Sequence, residues 1–179
     1  MQAPPTIAVD SIPEEGLSLT LALDPAWIAS VLADAAMKPV GHARHSAKLR
    51  LDREGVDVVV SGDVSTRAVA ECVACLEDVE VAIEASFHLV LSPASKAPAH
   101  RPGEEVELSA SELDADYYTE GQIDLAHWLR EQVLLEAPVH PRHAGECPHA
   151  LLSKPTPDAP DGGAERPVDP RLAPLLKFR

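Results

Sequence analysis

Aromatic side chains are scarce, at 3% of 179 residues. The interior must therefore be filled by Leu, Val, Ile and Ala. Cations are also few: 15 Lys and Arg stand against 29 Asp and Glu, a formal charge of -14. Phosphate-dominated binding calls for the opposite sign, so tight association with naked RNA is disfavoured. A basic protein, such as a ribosomal protein, is the better electrostatic match. Cysteine is limited to three residues, an odd number that argues against a disulfide framework and toward metal binding, redox work or burial. No window approaches the roughly 18 apolar residues of a membrane span, and the first ten residues carry neither a basic nor an apolar signal region. The expected location is the cytoplasm, with no membrane partner. No Ser/His/Asp order, glycine-rich phosphate loop or paired-carboxylate motif stands out, so neither an enzyme nor a small-molecule substrate is indicated. No internal repeat is present, and the length suits one core.

What is present is strong patterning. Leu17, Leu19, Leu21 and Leu23 alternate with Ser18, Thr20 and Ala22, the period-2 signature of a half-buried strand. Asp24 suits an N-cap and Pro25 the first helical position, with Trp27, Ile28, Val31, Leu32 and Ala35 on one helix face up to Lys38-Pro39. Ala43, Ala47, Leu49 and Leu51 make the apolar side of a strand over 42–52, whose other side carries Arg44, Lys48 and Arg50. That basic face is a candidate contact for RNA or a partner, set against the plain alternative of cations paired with nearby carboxylates. After Glu54-Gly55, Val56, Val58 and Val60 read as a strand, Ser61-Gly62-Asp63 as a turn, and Val64, Thr66, Ala68, Ala70 and Cys72 as another strand. Val79 to Leu91 alternate through a long further strand, completing an antiparallel meander. A short strand is expected near Val106 to Leu108. Asp124 caps a second helix with Leu125, Trp128, Leu129, Gln132 and Val133 at helical spacing, ended by Pro138.

The expected fold class is α+β: a bent antiparallel sheet or partly open β-barrel with two packed helices and an extended C-terminal arm. The expected organisation is an N-terminal extension (1–14), a single domain (15–153) with a mobile loop (93–104), a Pro-rich linker (154–168) and a C-terminal docking segment (169–179).

The chemistry concentrates in Cys72-Val73-Ala74-Cys75, placed where one strand gives way to the next. C-x-x-C is ambiguous alone. A second pair, His143 and Cys147, raises its specificity, because two thiolates from a turn with a distant Cys and His match a structural zinc site. His140 and His149 compete with His143 for the fourth position. A redox C-x-x-C belongs at a helix N-terminus, and strand pattern flanks this one on both sides. Ordinary burial of unpaired cysteines is the plain alternative.

Glu71-Cys72-x-x-Cys75-Leu76, Ile123-Asp124-Leu125, Val133-Leu134-Leu135-x-x-Pro138-Val139-x-Pro141, His143 with Cys147, and Asp169-Pro170-Arg171-Leu172-Ala173-x-Leu175 follow one another in an order that resembles the YceD-like family of large ribosomal RNA accumulation proteins. The resemblance spans about residues 15 to 179. It implies a non-enzymatic role in accumulation of 23S ribosomal RNA, with a pre-large-subunit ribosomal particle, ribosomal RNA or a basic ribosomal protein as partner. It also implies a metal-site pattern in which many members carry Cys at the place of His143. A zinc-stapled protein-binding adaptor unconnected to ribosomes, and a thiol oxidoreductase, are the alternatives from other classes.

Overall fold

The computed structural model describes residues 3–97, 115–144 and 147, all within one unit, Met1–His149. The elements are β1 (Thr6–Ala8), β2 (Leu17–Ala22), α1 (Pro25–Ala33), β3 (Lys38–Pro39), β4 (Ser46–Glu54), β5 (Asp57–Glu71), β6 (Asp78–Pro93), β7 (Ala115–Tyr118), β8 (Gln122–Asp124) and α2 (Leu125–Glu136). The principal sheet runs β2-β4-β5-β6-β7, with β3 beside β5, and among the described residues it does not close on itself. The α+β class therefore holds: among the described residues, a mixed sheet carries two helices.

Both helices start at the expected caps. Asp24 Oδ1 accepts from the Ala26 N–H at 2.8 Å, and Asp124 Oδ1 from the N–H groups of Ala126 and His127 at 2.9 and 3.3 Å. Each bond satisfies donors that the first helical turn leaves without a partner. Ile28, Val31 and Leu32 of α1 and Leu125, Trp128, Leu129 and Val133 of α2 are buried in one core with Leu51, Val58, Val60, Val64, Ile83 and Leu91 of the strands. Arg130 of α2 pairs with Asp34 at the end of α1.

Strand alternation follows the residues closely. In β4, Ala47, Leu49 and Leu51 are buried while Lys48 and Arg50 are exposed. The β4–β5 hairpin closes through Gly55-Val56, where Glu54 pairs with Asp57 and Gly55 adopts φ +68°, a backbone that glycine reaches without steric cost.

The structure corrects one element outright. Ser61-Gly62-Asp63 is no turn: β5 continues through it, with Gly62 paired to Leu49 on one side and Phe87 on the other. Glycine is needed there for close approach, because a Cβ would collide with the Lys48 carbonyl oxygen and lie 2.8 Å from Leu49 Cδ2.

The antiparallel ladder from β2 to β6 also gains a parallel edge strand, with Val90 opposite Ala115 and Pro93 opposite Tyr118. The Tyr118 hydroxyl donates to the Val56 carbonyl at 2.7 Å. Residues 1–14, read as an extension, supply β1, which pairs with β8, and contribute Val9 and Ile12 to the core. β6 runs to Pro93, followed by a single 3-10 turn, Ala94–Lys96. The strand expected near Val106 and the segments 154–168 and 169–179 lie outside the described residues, as does the rest of the 93–104 loop.

Candidate metal centre

Where β5 ends, the chain makes a compact turn before β6. The Cys72 N–H donates to the Glu77 carbonyl at 2.8 Å, and the Leu76 N–H returns to the Cys72 carbonyl at 2.8 Å. Leu76 takes φ +64°, a left-handed backbone that bulky residues adopt only under constraint. This turn folds the peptide around Cys72 so that both thiols of the C-x-x-C point inward, and Cys72 and Cys75 are buried. Together with Val79 they form a small apolar cluster separate from the main core, with Ala74, Val81 and Cys147 against it.

The second half of the site arrives after α2. Pro138 and Val139 leave the helix, and the Val73 N–H donates to the Pro141 carbonyl at 3.0 Å. That bond lays the segment across the turn and brings in His143 and Cys147. The ligand-bearing atoms of Cys72, Cys75, His143 and Cys147 all lie within 4.8 Å of one another. Cys72 Sγ and Cys147 Sγ are 3.8 Å apart, and none of the three cysteines is in a disulfide. A tetrahedral zinc with Zn–S near 2.3 Å would separate two sulfurs by about 3.8 Å.

Two further features bear on metal fit. The Cys72 thiol is pulled down to about 6, first by the Ala74 N–H, with the N–H groups of His143 and Cys75 and the Cys75 thiol adding to it, while burial opposes. A thiolate is the form that binds metal. His143 Nε2 is buried without a hydrogen-bond partner, and it is the only such side-chain nitrogen or oxygen among the described residues. Leaving a polar atom in that state costs about 1–3 kcal/mol, so a Lewis acid beside it would be stabilising. Three thiols and an imidazole whose Nε2 lacks a partner are a donor set suited to a closed tetrahedral zinc site.

Of the competing histidines, His140 is exposed and outside the group, and His149 lies outside the described residues.

The three cations of the basic face are placed differently. Lys48 and Arg50 are exposed on one side of β4, whereas Arg44 precedes the strand, which begins only at Ser46. Arg50 is already engaged. Its Nε and Nη2 reach the Asp52 carboxylate at 2.9 and 2.7 Å, and Nη2 also donates to the Glu15 carbonyl at 2.9 Å.

Sequence reading did not single out His45, which is buried with its Nδ1 2.6 Å from Thr66 Oγ1. Burial lowers its pKa. Its parity with Ala43 and Ala47 was the available signal that it faces inward.

A family model described as Large ribosomal RNA subunit accumulation protein YceD matches residues 60–179. The matched stretch contains all four members of the Cys3His group and none of Arg44, Lys48 and Arg50. No curated protein and no solved structure matches the chain. No helix among the described residues is long and apolar enough to cross a membrane.

Proposed function

Because the chain belongs to the YceD family, we propose that it is a non-catalytic cytoplasmic factor supporting accumulation of 23S ribosomal RNA during assembly of the large ribosomal subunit. The observation that carries this reading is the family match across 60–179, which takes in the whole cysteine and histidine group. Cys72, Cys75, His143 and Cys147 would hold one structural zinc ion, with His143 preferred over His140 for its unpartnered buried nitrogen. With four protein ligands the site would keep no open position for substrate. The metal's chemistry would be to fasten the segment after α2 onto the β5–β6 turn.

Burial of Cys72 and Cys75 favours this over thiol exchange, which requires an accessible sulfur. The lowered Cys72 pKa serves metal binding equally well. Partners would be a pre-large-subunit particle, met through its RNA at Arg44, Lys48 and Arg50 or through a basic ribosomal protein.

Depletion of the protein, with quantification of 23S RNA and its precursors, tests the role. Mature 23S RNA should fall relative to small-subunit RNA and be restored by the wild-type chain. Unchanged precursor and mature levels under full depletion would reject it and favour an adaptor unconnected to ribosomes.

A further inference from the structure

Beside the cysteine turn, a groove of about 640 Å3 opens between the end of α1, the end of β5 and the segment following α2. Its walls include Met37, Val73, Leu134 and Val139, with Asp34 and Glu71 as the ionisable groups that line it. Val73 is 41% exposed and Val139 84% exposed. Leu76 on the same turn and Leu135 near the end of α2 are exposed as well. Thus, of the six exposed large apolar residues among the described residues, Val73 and Val139 line the groove, and Leu76 and Leu135 belong to the turn and to α2, which both contribute to its walls. Singly placed apolar side chains on a surface carry no meaning, but a cluster against a groove marks an interaction site.

The electrostatics select the occupant. Asp34 is paired with Arg130. Glu71 has no ion-pair partner among the described residues, and it stands directly opposite Asp78 in the β5–β6 ladder. Like charges in that position repel, and a cation between them would relieve the repulsion. Lys38 on β3 and Arg142 after α2 make no ion pair with either carboxylate among the described residues. A phosphate backbone would meet the carboxylates of Glu71 and Asp78, uncompensated among the described residues. A second copy of the chain would bring another -14 of charge.

We infer that this groove docks a segment of a partner protein in which apolar side chains are flanked by lysine or arginine. The apolar groups would cover Val73, Leu134 and Val139, and the cations would lie over Glu71 and Asp78. This goes beyond the ribosomal role and does not depend on it.

The test uses the full chain with labelled Val and Leu methyl groups and a synthetic peptide of about 12 residues carrying Leu and Lys at helical spacing. Its control peptides replace every Leu by Ser or every Lys by Glu. The Leu/Lys peptide should shift the methyls of Val73, Leu134 and Val139 saturably, and both controls should bind about tenfold more weakly or not at all. Glu71→Lys and Val139→Ser, both at exposed positions, should each weaken binding about fivefold or more without lowering the melting temperature, whereas Glu84→Lys, exposed on β6 outside the groove, should leave binding unchanged.

Equal binding by the Ser-containing control would reduce the effect to diffuse charge attraction and overturn the inference. The same methyls shifting with protein concentration alone would assign the groove to a second copy, and shifts there on adding an RNA hairpin would assign it to nucleic acid. Either result also overturns it. No ribosomal particle enters the measurement, so its failure and that of the accumulation role are separable.

Discussion

Replacing Gly62 with alanine separates a turn from a central strand by the sign of its effect. In a strain-free exposed position, Gly→Ala stabilises by about 0.4–1 kcal/mol through the unfolded chain. At Gly62 the added Cβ would run into the Lys48 carbonyl and press on Leu49 Cδ2 at 2.8 Å and Leu49 Cα at 3.0 Å. Two of these three neighbours are backbone, so no rotamer change removes the conflict. β5 has little room to back away, because Gly62 is also paired with Phe87 of β6. Overpacking of this kind costs about 1–3 kcal/mol, and the backbone collision puts the cost at the upper end, about 2–3 kcal/mol, which outweighs the entropic gain and leaves a net loss of about 1–2 kcal/mol. For a chain of this length, that is a fall of about 2–8 °C in melting temperature. Gly41→Ala is the control: nothing lies within 4 Å of its Cβ position, so that variant should match or slightly exceed the wild type. Thermal and urea unfolding of both variants decide the matter. A Gly62→Ala protein as stable as the parent, with the same urea dependence, would refute the packing argument.

The metal reading predicts about one zinc per chain in protein prepared under reducing conditions, with Cys75→Ser releasing it and lowering stability; elemental analysis finding none, with all three thiols titrating freely, would oppose it. For His45, the pKa is lowered from its ordinary 6.5, so the stability it supplies as a neutral ring is present above that value and lost as pH falls through the folded-state value. Denaturation at pH 7.5 and 5.5, values bracketing the ordinary histidine range of about 6.5, should therefore show a smaller acid loss in His45→Gln than in the wild type, and an identical loss would clear His45 of the effect. Substituting Arg44, Lys48 and Arg50 together with Gln should weaken particle association and flatten its salt dependence if these cations meet RNA. The melting temperature should barely move, because exposed pairs such as Arg50–Asp52 contribute about 0.2–1 kcal/mol; unaltered association would point to the acidic surface and a basic protein partner.

Local signals in the chain determined the local structure. Asp24-Pro25 and Asp124 start the two helices because capping is settled within three residues of the cap. The Leu and Val alternations determined which faces of β4, β5 and β6 are buried, since side-chain direction in a strand follows parity alone. Parity even held the means to avoid reading a turn at 61–63: Val58 and Val60 share it with Val64, Thr66, Ala68 and Ala70, as one uninterrupted strand requires. The composition of Ser-Gly-Asp outweighed that signal, and only the two flanking strands reveal that the glycine is there for close approach.

The pairing of β1 with β8 and the parallel placement of β7 were decided by tertiary structure. None of these three short segments has enough alternation to declare a strand, and the hydrogen bonds that make them strands come from residues far away in sequence. The cysteine group shows both sides of this division. The residue types and their spacing in Cys72, Cys75 and Cys147 were legible as a candidate metal-ligating set, and the structure brings them together. The choice among the histidines was not, because spacing alone allows His140, His143 or His149 to reach the thiols. The Val73–Pro141 hydrogen bond and the path of the chain leaving α2 bring His143 inward and leave His140 in solvent. That is a decision made by backbone geometry at long range, where sequence periodicity carries no information.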